Sequence, residues 1–131
     1  VAIGRGRART LTAPSAAESR ALLGRYLSLY SLGLSHSLPA MPRVCEAWAT
    51  LRTRGYDPDD PKVGRPELRR CWDWDSDAAW QVFYGTLDDA LDERTTQVAL
   101  PEQTPTETSL VGALAQLIWA PLLSHERSGA R

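Results

Sequence analysis

From Thr108 to Ser124 the chain runs 17 residues without a charge. Within this stretch Leu110, Val111, Leu114, Leu117, Ile118, Trp119 and Leu122 cover most of the circumference of a helix. A helix apolar nearly all round is either central in a core or turns one face to another subunit, because water otherwise meets apolar surface on every side. Its length reaches only the lower edge of a membrane span of ~17–25 residues, and Pro121 and several polar groups interrupt it. The sequence therefore predicts a buried helix from about Ser109 to Leu123, which Pro121 should kink or end.

The remaining apolar residues also follow helical spacing. Ser15 and Glu18 form a Ser-x-x-Glu capping box, after which Leu22, Leu23, Tyr26, Leu27, Tyr30 and Leu34 mark a first helix ending between Leu32 and His36. Pro42 opens a second helix with the stripe Val44, Ala47, Trp48 and Leu51, and Gly55 is its natural C-terminal cap. Residues 55–66 hold three prolines, two glycines and three aspartates and read as a loop. A short helix is predicted over Pro66 to Trp72. A longer one, capped by Asp75 or Ser76 and reaching Arg94, places Trp80, Phe83, Tyr84, Leu87 and Leu91 on one face. Residues 95–107 form a second proline-containing loop. No stretch alternates long enough to predict a strand. The expected fold is all-α: an irregular bundle of four to five helices with two Pro-rich loops and a basic N-terminal arm. Residues 1–14 form the arm, 15–127 a single helical domain and 128–131 a C-terminal tail.

Charge is unevenly distributed. Residues 1–54 carry eight Arg and two Glu, whereas residues 73–102 carry eight acids against Arg94, in a chain of net charge -1. These blocks can meet oppositely charged partners, or each other, within one molecule or between copies. Fourteen of the fifteen basic residues are Arg and Asn is absent, a bias that matches a GC-rich coding sequence. It is therefore weak evidence for nucleic-acid recognition. The first 25 residues share the Arg-, Ser- and Ala-rich composition of import presequences, but a retained arm is the reading taken. No continuous apolar segment opens the chain, so no secretory signal is expected. Cys45 and Cys71 are read as reduced thiols in an intracellular, reducing compartment, with a single bridge between them as the alternative.

Several chemistries fail on spacing. Asp73, Asp75 and Asp77 begin like a calcium loop, but position six is Ala78 and position twelve is Tyr84. Asp88, Asp89 and Asp92 match a short Asp-Asp-x-x-Asp string without a second acidic motif, and with Glu93 they are read as an acidic patch. His36, Cys45, Cys71 and His125 lie too far apart in sequence for a paired zinc motif. No nucleophile elbow or phosphate loop is present. No cofactor, metal or catalytic set is therefore predicted.

The functional expectation is a non-catalytic helical subunit or adaptor within a larger assembly, hetero- or homo-oligomeric. Its expected partner-binding residues are Arg5, Arg7 and Arg9 in the arm, Trp72 and Trp74 at a junction, and Leu114, Ile118 and Trp119 on the last helix. The alternative is a small nucleic-acid-associated or regulatory protein using the arm for backbone contacts.

Overall fold

The computed structural model describes residues 2–4, 7–74, 78–102, 104 and 106–128. Five helices lead from the arm to the second loop. They are α1 (Ala16–Ser35), α2 (Pro42–Thr53), α3 (Gly64–Trp74), α4 (Ala78–Tyr84) and α5 (Leu87–Asp92). A 3-10 turn at Thr95–Gln97 follows. The final helical run passes from α6 (Leu110–Leu114) through a π-helical turn (Ala115–Trp119) into α7 (Ala120–Ser124). The all-α irregular bundle is as the periodicity predicts.

Local signals set most boundaries. The Ser15–Glu18 box closes as expected: Glu18 N–H donates to Ser15 Oγ, and Ser15 N–H donates to the Glu18 carboxylate at 2.8 Å. That hydrogen bond holds the Glu18 carboxyl below its ordinary pKa. At the end of α2, Gly55 adopts φ 80, and the Gly55 and Tyr56 N–H groups turn back to the Arg52 and Leu51 carbonyls. This is a Schellman stop, which a β-carbon at position 55 would strain.

Two expectations are corrected. The long helix predicted up to Arg94 is two helices. Gly85, at φ 79, breaks it, and Thr86 with Asp89 forms a second capping box that starts α5. The proposed caps Asp75 and Ser76 lie outside the described residues. Strands, not predicted anywhere, do occur: β1 (Ala2–Gly4), β2 (Arg7–Leu11) and β3 (Glu126–Ser128) pair antiparallel in the order β1-β2-β3. Backbone pairing between arm and tail makes this small sheet. Thr12 N–H adds a bond to the His125 carbonyl at 2.7 Å, so the two ends of the helical domain are tied together. The β2–β3 pairing links segments more than a hundred residues apart, and the β1–β2 pairing within the arm involves strands too short to show alternation.

The core lies between α2 and the last helix. Met41, Val44, Cys45, Trp48, Leu68, Leu110, Val111 and Leu114 are essentially inaccessible. The Cys45 thiol is buried here, 3.6 Å from the Pro39 carbonyl it faces. The second loop is fixed to this core by a buried carboxylate. Glu107, with its side chain 2% exposed, accepts from Arg52 Nε at 2.9 Å and from Nη2 at 3.3 Å. Arg52 also lies 5.8 Å over the Trp48 ring. Gly112 completes the cluster: a β-carbon there would fall 2.5 Å from the Glu107 carboxylate and 2.8 Å from the Trp48 ring. Replacing Arg52 strands a buried charge, which costs far more than an exposed pair returns. R52A is expected to lower stability in urea unfolding by about 2–3 kcal/mol, the half-exposed guanidinium softening the full penalty. R52K, which keeps the charge without the two-point fork, should lie between R52A and the parent.

Candidate protein-binding surfaces

α1 lies against the point where the last helix departs from α-geometry. Pro121 has no N–H, and in a regular helix its ring collides with the carbonyl four residues earlier, that of Leu117. The chain accommodates it with the π turn, in which Ala120 N–H reaches back to the Ala115 carbonyl. The Leu117 and Ile118 carbonyls are met from α1. Arg25 Nη1 donates to the Leu117 carbonyl at 3.4 Å, and Tyr26 Oη–H donates to the Ile118 carbonyl at 3.1 Å. Arg25 is itself held in a two-point pair with Glu102, at 2.7 and 3.2 Å.

These bonds fix the rotation of α1 about its axis. Leu22, Arg25, Tyr26, Leu29 and Leu32 turn inward and are buried or half-buried. Leu23, Leu27, Tyr30 and Leu34 turn outward and are 61–73% exposed. The single apolar face expected of this helix is therefore two faces, and four of its large side chains meet solvent. Their spacing of four, three and four residues is that of a helix–helix seam. The flanks of the seam carry Gly24, Ser31 and Gly33. Between Ala21 and Ser35 the only charged side chain of α1 is Arg25, which points inward. Arg20, exposed near the start of the helix, makes no ion pair among the described residues, and the last turn of α1 carries no basic residue.

A second surface is the groove between α2 and α3, an open space of about 840 Å³. Arg43, Thr50, Arg54, Tyr56 and Cys71 line it, and Trp74 stands at its rim. Arg43 stacks on Trp74 with its guanidinium carbon 5.3 Å from the ring centroid. The Glu67–Arg70 pair also lines it, and the Arg70 hydrogen bond keeps the Glu67 carboxyl below its ordinary pKa. A smaller polar cleft of about 290 Å³ beside Glu107 is lined by Arg52, Arg65 and Arg94. Each of these arginines already faces a carboxylate: Glu107, Asp59 with Asp88, and Asp92 respectively.

The residues singled out in the sequence are distributed as follows. Trp74 is 61% exposed in the α2–α3 groove, whereas Trp72 is buried in the core. Leu114 is also fully buried, and Ile118 and Trp119 are half-buried in the π turn behind α1. The last helix is thus central, the first of the two roles its composition allows. Arg5 lies outside the described residues, and Arg7 and Arg9 belong to β2. In the acidic patch, Asp88 pairs with Arg65 at 3.2 Å and Arg69 at 3.8 Å, Asp89 caps α5, and Asp92 faces Arg94 at 3.8 Å. Glu93 offers its backbone carbonyl to Leu110 N–H. Among the described residues, no three His, Cys, Asp or Glu side chains gather as a metal site, and no helix is long and apolar enough to cross a membrane. The outward seam of α1 was missed because leucine spacing does not say which leucines face out. The signals that decide it, Arg25 on one helix and Pro121 on another, sit 96 residues apart.

No protein-family model, curated protein or solved structure matches this chain.

Burial raises the Tyr26 phenol above its ordinary pKa near 10, outweighing the opposing charge of Arg25. The phenol must be protonated to donate to the Ile118 carbonyl. A raised folded-state pKa means that the linked stability is fully present below the unfolded value and is lost as pH rises through the folded one. Melting temperatures are expected to fall as pH rises above the ordinary phenol value near 10, with a smaller fall in Y26F. The remainder in Y26F comes from Tyr84, whose phenol burial also pushes up.

Proposed function

We propose that this chain is a non-catalytic protein-binding subunit or adaptor within a larger assembly. The observation that carries this reading is the outward row Leu23, Leu27, Tyr30 and Leu34 on α1. Four large apolar side chains in one helical seam form a patch of the kind that marks an interaction site, whereas single exposed leucines need no explanation. Hydrogen bonds from the inner face of the same helix to the π turn set which of its side chains face out. This moves the proposed docking face from the last helix, as its composition suggested, to α1.

Two features support the reading. Trp74 and Arg43 border a groove that also holds Arg54 and Arg70, both acting on Glu67, and Trp and Arg are the residues enriched at energetic centres of interfaces. Part of the charge is paired inside the molecule, through Arg25–Glu102, Arg52–Glu107 and Arg65–Asp88. Recognition then rests on apolar contact, with local charge setting orientation.

Photo-crosslinking tests the proposal. A benzophenone side chain at position 30, in the full chain in the cells that make it, is expected to give protein adducts. The same probe at the exposed Thr96 should give none above background. The double variant L27D/Y30D should leave thermal stability within about 0.5 kcal/mol of the parent, since both sites are exposed. Absence of adducts at position 30 contradicts the proposal.

A further inference from the structure

Resting on the reading of α1 as a docking face, we infer that its occupant is a second copy of this chain, packed seam to seam with the two α1 helices antiparallel. The seam is centred between Leu27 and Tyr30. A two-fold axis there sets Leu27 against the partner's Tyr30 and Leu23 against the partner's Leu34. All eight side chains are apolar or aromatic, so the face is complementary to itself, as a two-fold contact requires.

Charge selects this arrangement. Within α1 no charged side chain flanks the seam from Ala21 to Ser35. Arg20 lies one turn before Leu23, on the edge of the same face. With the helices parallel, Arg20 meets Arg20. With them antiparallel, each Arg20 reaches the C-terminal end of the partner helix, where backbone carbonyls carry partial negative charge and α1 supplies no base of its own. Arg20 makes no ion pair among the described residues. Backbones can also come close: a β-carbon at Gly24 would meet nothing within 4 Å, so packing inside one copy does not call for glycine there.

The contact is modest. From Leu23 to Leu34 the helix rises only roughly 16 Å. The area covered falls below the ~1,200 Å² of standard complexes, so association belongs in the micromolar range.

Sedimentation of the full chain over about 5–500 µM tests this. The weight-average mass should climb from 14.5 kDa toward twice that value. L27D/Y30D should stay at the lower mass across the range. R20E, which leaves the seam intact, should weaken association several-fold. Orientation is read by disulfide trapping in a C71S background: L23C and L34C proteins should form a bridged dimer when mixed, and neither alone. Bridging of L23C with itself overturns the antiparallel pairing. A parent chain that stays monomeric at about 500 µM overturns self-association. If it does so while a benzophenone at position 30 captures a different protein, the second copy is excluded and the docking role stands. If no protein is captured either, both fall.

Discussion

A single missing N–H organises one side of this molecule. Pro121 sits in a helix that the chain cannot abandon, because the residues before it, Leu110, Val111, Leu114 and Leu117, form the centre of the core. The backbone responds with a π turn, and two carbonyls on its surface are then met by Arg25 and Tyr26. Because those two residues must face inward, Leu23, Leu27, Tyr30 and Leu34 must face outward. The exposure of α1's apolar seam is therefore tied to how the last helix is built. Glu102 strengthens the arrangement by holding the Arg25 guanidinium from the loop side.

The opposite side depends on a charge instead of a gap. The Glu107 carboxylate is out of water, and burial of an unpaired carboxylate is severely unfavourable. Arg52 meets it with two hydrogen bonds while stacking on Trp48, and Gly112 leaves the room both need. This pairing fixes the second proline-containing loop to α2 and sets the entry of the last helix. It also shows where the uneven charge of the sequence goes. Arginines of the first half, Arg25 and Arg52, meet Glu102 and Glu107 of the second, and Arg65 meets Asp88.

Much of the fold was legible because it is local. The Ser15–Glu18 box, Pro42 at the start of α2 and Gly55 past its end act within a few residues, and each set a boundary where the pattern placed it. The all-round apolar character of residues 110–122 marked the central helix for the same reason. Gly85 was overlooked because the apolar period runs through it from Trp80 to Leu91, and only its positive φ shows the break. The sheet joining arm and tail left no signal, since three-residue and five-residue strands are too short for alternation. For the candidate surfaces, Trp74 was visible as a residue at a junction. Trp72, two positions away on the same helix and so about 200° around its axis, turns into the core, a difference of helix phase and not of residue type. Leu114, expected among the partner-binding residues, lies fully buried because the helix that carries it is apolar nearly all round and sits in the core.

On this reading the outward seam of α1 is covered by the matching seam of a second copy. The most direct measurement is hydroxyl-radical footprinting of tyrosines in the full chain as its concentration is raised. Tyr30, on the seam, and Tyr56, in the α2–α3 groove, are both exposed in the single chain, at 67% and 50%. The account predicts that labelling of Tyr30 falls with concentration while labelling of Tyr56 holds constant. Equal, unchanging labelling of both tyrosines at every concentration would contradict it.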